Sequence, residues 1–172
     1  RVRGDAEITR RLTQYRDAMR YVHDAVVRGM NDGKDVFTLM HEIKLPPELV
    51  VGEGYGNLIW SIRGIYEGYA GWFDLRPATM YDVPMDAVFP DLAKLAGGAE
   101  PVVKLAAQYV ETGRYVEALH LTEVALASDP QFRPALETRL KALESLREKS
   151  KNSNERGWLD YHIRIVKKKL SG

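Results

Sequence analysis

Seven apolar side chains, Ile8, Leu12, Tyr15, Met19, Val22, Val26 and Met30, recur without a break at steps of three and four. A helix turns once in about 3.6 residues, so this spacing lines all seven along one stripe. Arg10, Arg11, Arg16, Asp17 and Arg20 fall off it. A helix this long with one apolar side draws its stability from packing that side away from water. It therefore requires a partner helix, in this chain or in another subunit. Asn31-Asp32-Gly33 stops it, with Gly33 suited to a left-handed cap.

The same helical grammar continues. Asp35 caps a short helix through about Lys44, with Phe37, Met40 and Ile43 inward, and Leu45-Pro46-Pro47 breaks it. Val50 to Gly56 holds three glycines and reads as a shaped loop that presents Tyr55. A third helix is expected from about Asn57 to Asp74, closed by Arg76-Pro77. Its composition is unusual: Trp60, Tyr66, Tyr69, Trp72 and Phe73 are aromatic, while Gly64, Gly68 and Gly71 each cost about 1 kcal/mol against Ala in a helix interior. Gly64 and Gly68 are four apart and share a face. Close approach of another backbone is the compensation expected for them. Ala78 to Pro90 reads as an extended connector, and Asp91 to Gly97 as a short helix.

From there the pattern changes. Val102, Leu105, Ala106, Tyr109, Gly113, Tyr115, Ala118, Ala125 and Pro130 fall at the spacing of a tetratricopeptide repeat. Ala106 and Ala118 are small where two antiparallel helices cross, and Tyr109 and Tyr115 fill beside them. Thr122 departs from that pattern, which has a large side chain there. Two more helices follow, about Pro134 to Lys149 and Glu155 to Leu170, with Ser150 to Asn154 as a polar break. The fold class is therefore all-α: a helical bundle followed by a tetratricopeptide-like helical hairpin array. One domain over 1–172 is expected, in two parts, 1–90 and 91–172.

Several kinds of chemistry are poorly supported. The chain has no cysteine, which removes disulfides, thiolate metal sites and cysteine nucleophiles. The four histidines, His23, His41, His120 and His162, form no pair at metal-ligand spacing. His23-Asp24 is the best charged dyad, but adjacent helix residues project about 100° apart. Gly52-Glu53-Gly54-Tyr55-Gly56 lacks the Lys-Ser/Thr and the preceding strand of a phosphate loop. A formal net charge of +1 gives no pull toward nucleic acid. No stretch is long and apolar enough to span a bilayer. Arg1-Val2-Arg3-Gly4-Asp5 leads into no apolar segment, so it does not read as a signal peptide. With no initiating Met, the chain reads as an excised piece of a longer polypeptide.

Tyr15 to Asp24, Arg28-Gly29-Met30-Asn31, Ile43 to Pro47, Gly54-Tyr55-Gly56, Tyr66 to Asp74 and Gly157 to Tyr161 together resemble alkyl sulfatases of the metallo-β-lactamase superfamily. The likeness covers nearly the whole chain. It implies three parts in the whole protein: a metallo-β-lactamase domain with two zinc ions, a helical dimerisation region, and a sterol-carrier-like domain. This chain is similar to the middle part alone. Its H-x-H-x-D-H zinc motif is absent, so the resemblance gives this chain no cofactor and leaves zinc to the catalytic domain. The implied partners are a second copy of the chain, as a homodimer, and its own catalytic domain. The implied compartment is periplasmic or secreted. Tyr55 matches a tyrosine that approaches the substrate sulfate. The first and third helices are the expected dimer interface, through Tyr15, Met19, Val22, Val26, Trp60, Gly64, Gly68 and Trp72. The chain departs from the family pattern at Trp60-Ser61, where members show His-Asn, and at Leu75-Arg76, where they show Gly-Asn. The alternative is a free-standing tetratricopeptide-like adaptor, for which one clear repeat makes a short groove.

Overall fold

The structure, a computed structural model, describes residues 3–172; Arg1 and Val2, where the stretch read as no signal peptide begins, lie outside it. Among the described residues there are eight α-helices and no strand. The chain divides into two compact units, Arg1–Arg76 and Pro77–Gly172. The boundary thus falls at the end of the glycine-aromatic segment, and the connector belongs to the second unit.

The first unit contains α1 (Asp5–Asn31), α2 (Val36–Glu42) and α3 (Leu58–Ala70). Gly33 takes a left-handed φ of 75° just beyond α1. The Asp35 carboxylate accepts from the backbone N–H groups of Phe37 and Thr38 and so caps α2. Asn57 does the same for α3 through the N–H of Ile59. These caps satisfy N–H groups that a helix start leaves open.

The core of this unit is Val22, Val26, Leu39, Ile43 and Ile62, with Leu58, Ile65 and Tyr66 packed around it. Burying each such aliphatic side chain contributes about 1.5–3 kcal/mol. The stripe of α1 is thereby split. Its C-terminal half enters the core, while Ile8, Leu12 and Tyr15 stay exposed.

Three expectations need correction. Phe37, expected inward on α2, is exposed, and Leu39 takes the core position instead. α3 stops at Ala70, not Asp74, because Gly71 adopts a φ of 71° and its N–H closes the last turn on the Glu67 carbonyl. The segment expected to be an extended connector is coiled. It forms 3-10 turns at Pro77–Met80 and Met85–Val88, then enters α4 (Phe89–Leu95) with Pro90 in the first turn. Proline's fixed φ suits a helix start as well as an extended chain.

The second unit continues with α5 (Ala99–Glu111), α6 (Tyr115–Ser128), α7 (Arg133–Lys149) and α8 (Ser153–Ser171). α5 packs on α6, α6 on α7 and α7 on α8, while α4 lies against α6. Ala106, Ala118 and Ala142 form one fully buried cluster flanked by Tyr109 and Tyr115. The small side chains let the helices approach closely. The Arg114 guanidinium lies 3.9 Å from the Tyr109 ring centroid, and the Lys149 ammonium 4.5 Å from that of Tyr115. A further cluster of Leu136, Leu143, Ile163 and Val166 joins α7 to α8.

Candidate functional site

α3 buries Ile62 and turns Trp60, Gly64 and Gly68, spaced by four, to the opposite side. A Cβ built on Gly64 or Gly68 would meet nothing within 4 Å. No described helix of the first unit uses the room these glycines leave. Trp60 and Tyr69 are exposed on the same helix, and Trp72, beyond its end, is 76% exposed. A 2.6 Å ion pair between Arg63 and Glu67 lies on its exposed surface.

The other sequence-derived interface residues divide. Val22 and Val26, at 2% and 0% exposure, are core residues of this unit and offer no surface to a partner. Met19 is half-buried. Tyr15 is exposed, in line with Leu12 and Ile8. The first unit therefore carries two uncovered apolar features, the N-terminal half of α1 and the outer side of α3.

These two helices are fastened by a contact that sequence reasoning did not anticipate. The His23 Nε2 lies 2.7 Å from the Tyr69 hydroxyl, and its Nδ1 lies 2.9 Å from Asp24 Oδ1. With Nδ1 protonated, the ring donates to Asp24 and accepts from Tyr69. The 100° between neighbouring helix residues was expected to keep His23 and Asp24 apart. Both side chains are long enough to bend toward each other over the helix surface. The carboxylate–imidazole–phenol chain is half open to solvent. It spans α1 to α3 and acts as a clasp between them.

The glycine loop is built to hold Tyr55 out. Glu53 accepts from the Leu58 N–H at 2.7 Å, and the Gln14 amide donates to the carbonyls of Glu48 and Val50. The chain on either side of the loop is thus tied to α3 and α1. Beneath it lies a cavity of about 70 Å³ bordered by Ala18, Met19, Leu45 and Leu58. Tyr55 does not fill it and is 73% exposed. Neither Tyr55 nor α3 is joined by a metal site: among the described residues no group of three His, Asp or Glu side chains could hold an ion. No described helix is long and apolar enough to cross a membrane.

Comparison with known proteins gives the kinship of the chain. The family described as "Alkyl sulfatase dimerisation" matches residues 37–164. A linear primary-alkylsulfatase of Pseudomonas sp. (strain ATCC 19151) is 31% identical over 99% of this chain and 33% of its own length. The alkyl/aryl-sulfatase BDS1 of Saccharomyces cerevisiae is 26% identical over 83% of this chain and 23% of its own. A solved double mutant of the sec-alkyl sulfatase PisA1 superposes with a TM-score of 0.89 at 25% identity, covering 96% of this chain and 27% of that one. The chain spans about a third or less of the length of each of these relatives.

Proposed function

This chain belongs to the alkyl sulfatase dimerisation family, and from that premise we propose that it is the self-associating part of a larger sulfuric ester hydrolase. The contact is isologous, so the same patch of each subunit meets its mate. It is formed by the outer side of α3, through Trp60, Gly64, Gly68 and Trp72, with Tyr15 on α1 and Met19 at its edge. The observation that carries this reading is the family match over residues 37–164; the structure leaves Gly64 and Gly68 facing open space, without the neighbouring helix expected for them. Each costs about 1 kcal/mol against Ala. A second backbone lying against them offsets that cost, and the neighbouring tryptophans supply large apolar area.

In the whole protein, the hydrolysis belongs to a metallo-β-lactamase domain with two zinc ions. Among the described residues no three His, Asp or Glu side chains could by themselves hold such an ion. The contribution of this chain to the reaction is positional. Dimerisation fixes the catalytic domains, and the glycine loop holds Tyr55 where a phenol can donate a hydrogen bond to a sulfate oxygen. The substrate proposed on this reading is an alkyl sulfate. The compartment proposed, periplasmic or extracellular, rests on likeness alone.

Sedimentation equilibrium of the chain at tens of micromolar tests the self-association. Twice the chain mass is expected, and a monomer at that concentration would refute it. The isolated chain is also expected to release no sulfate from an alkyl sulfate, with or without added zinc.

A further inference from the structure

The last turn of α3, residues 67–70, buries none of its side chains. Leu58, Ile62, Ile65 and Tyr66, which seat the helix on the core, all precede it. Gly68 lies inside the turn, and Gly71 closes it with a 2.9 Å bond from its N–H to the Glu67 carbonyl. Glycine is a weak helix former, and helix ends with few buried contacts open first. Burial therefore does not secure the winding of this turn. Trp72 follows directly after Gly71, so unwinding here moves the tryptophan.

Tyr69 supplies the anchorage that burial does not. Its side chain is 63% exposed, yet its hydroxyl reaches α1, 2.7 Å from His23 Nε2. The two rings lie 5.7 Å apart, tilted by 58°. The bond has a direction. His23 Nδ1 lies 2.9 Å from Asp24 Oδ1, and a carboxylate only accepts, so Nδ1 of the neutral ring carries the proton. Nε2 is left as an acceptor for the phenol. Asp24 thus sets the tautomer, and the tautomer makes His23 a partner for Tyr69. His23 stands on the half of α1 that Val22 and Val26 fix in the core. A loose turn is tied to a firm helix.

We infer that Asp24, His23 and Tyr69 form a latch that keeps the last turn of α3 wound and so holds Trp72 ready for a second subunit. A partner that meets a frayed end must also order it, and that ordering is subtracted from the affinity. The docking half of this inference rests on the self-association proposed above. The winding half concerns the single chain and stands by itself.

Hydrogen–deuterium exchange of the full chain, diluted to the monomer, reads the winding through peptides that cover residues 67–71. Tyr69→Phe keeps the ring and loses only the hydroxyl. It should exchange there about two- to tenfold faster, the worth of one ordinary hydrogen bond, while peptides from the core of α1 and α2 exchange as in the parent. His23→Phe should do the same, and the double variant no more than either, because both act through one bond. His23→Gln, whose amide oxygen accepts from a phenol, should restore part of the protection. Sedimentation equilibrium of Tyr69→Phe should show dimerisation weakened by a similar factor. Unchanged exchange in Tyr69→Phe, or additive effects in the double variant, would overturn the latch. Faster exchange with the parent's dimerisation constant would overturn its link to docking. A parent chain that stays monomeric at tens of micromolar would refute the self-association itself, and the exchange result would still decide the winding.

Discussion

Gly29→Ala separates a glycine that the chain itself needs from those it does not use. A Cβ at position 29 would lie 2.3 Å from Leu39 Cδ2, 3.1 Å from Cδ1 and 3.3 Å from Cγ. Leu39 is 2% exposed and packs in the same core as Val22, Val26, Ile43 and Ile62. It cannot rotate away without disturbing them. The substitution gains about 1 kcal/mol of helix propensity and incurs about 1–3 kcal/mol of overpacking. The net expectation is a loss of about 1 kcal/mol. Gly64→Ala and Gly68→Ala have the propensity gain without the clash, so each should stabilise the dissociated chain by about 0.5–1 kcal/mol. Urea unfolding of dilute protein, followed by tryptophan fluorescence and circular dichroism, reads all three. Leu39→Ala alone should cost about 2–5 kcal/mol. In that background Gly29→Ala should become stabilising by about 1 kcal/mol, a coupling of about 2 kcal/mol between the two sites. If Gly29→Ala stabilises the parent chain as much as Gly64→Ala does, the close approach of α2 to α1 is wrong.

Leu75 has a φ of 65°, a left-handed backbone that favours glycine; Leu75→Gly is expected to raise the unfolding free energy by about 0.5–1 kcal/mol in the same assay, since left-handed backbone costs a non-glycine about 1–2 kcal/mol. Asn152 is buried and accepts from the N–H groups of Asn154 and Glu155 to start α8; Asn152→Ala should destabilise the second unit by about 1–2 kcal/mol, read as a lower thermal midpoint. Hydrogen bonds from Arg10 and then Arg11 hold the Glu7 carboxyl down from 4.5 to about 2. Its folded value lies below its unfolded one, so its contribution is complete above pH 4.5 and fades as pH falls from there toward 2. Side-chain NMR should report that depressed titration, and Glu7→Gln should remove its share of the acid sensitivity of α1.

Much of the fold was legible because helical periodicity and caps are local. The α1 stripe, its stop at Gly33, the Asp35 cap and the Ala106–Ala118 crossing all follow from spacing and residue size. What escaped depends on neighbours distant in sequence. Gly29 lies against the buried Leu39 side chain of α2, yet a lone glycine in a long amphipathic run gives no such signal. Val22 and Val26 share one stripe with Tyr15, and periodicity alone cannot say where the covering helices end. Tyr69 meets His23 across a gap of 46 residues, so the clasp had no pattern to betray it. Gly71 is plain in the sequence, but its left-handed turn, which ends α3 early, competes with three further residues, Trp72, Phe73 and Asp74, that read equally well as helix. Thr122 departs from the repeat pattern, which the sequence shows by itself. The residue its hydroxyl meets, Arg139, lies a helix away.

The central claim is that the outer side of α3 is the two-fold contact, and sedimentation equilibrium of Gly68→Arg beside the parent chain tests it most directly. With no described side chain of the first unit within 4 Å of a Cβ built at that position, the variant should keep the fold and lose the partner. The parent is expected at twice the chain mass, and the variant at the chain mass with an unchanged circular dichroism spectrum. A variant that still sediments as a dimer of the parent's affinity would place the contact elsewhere.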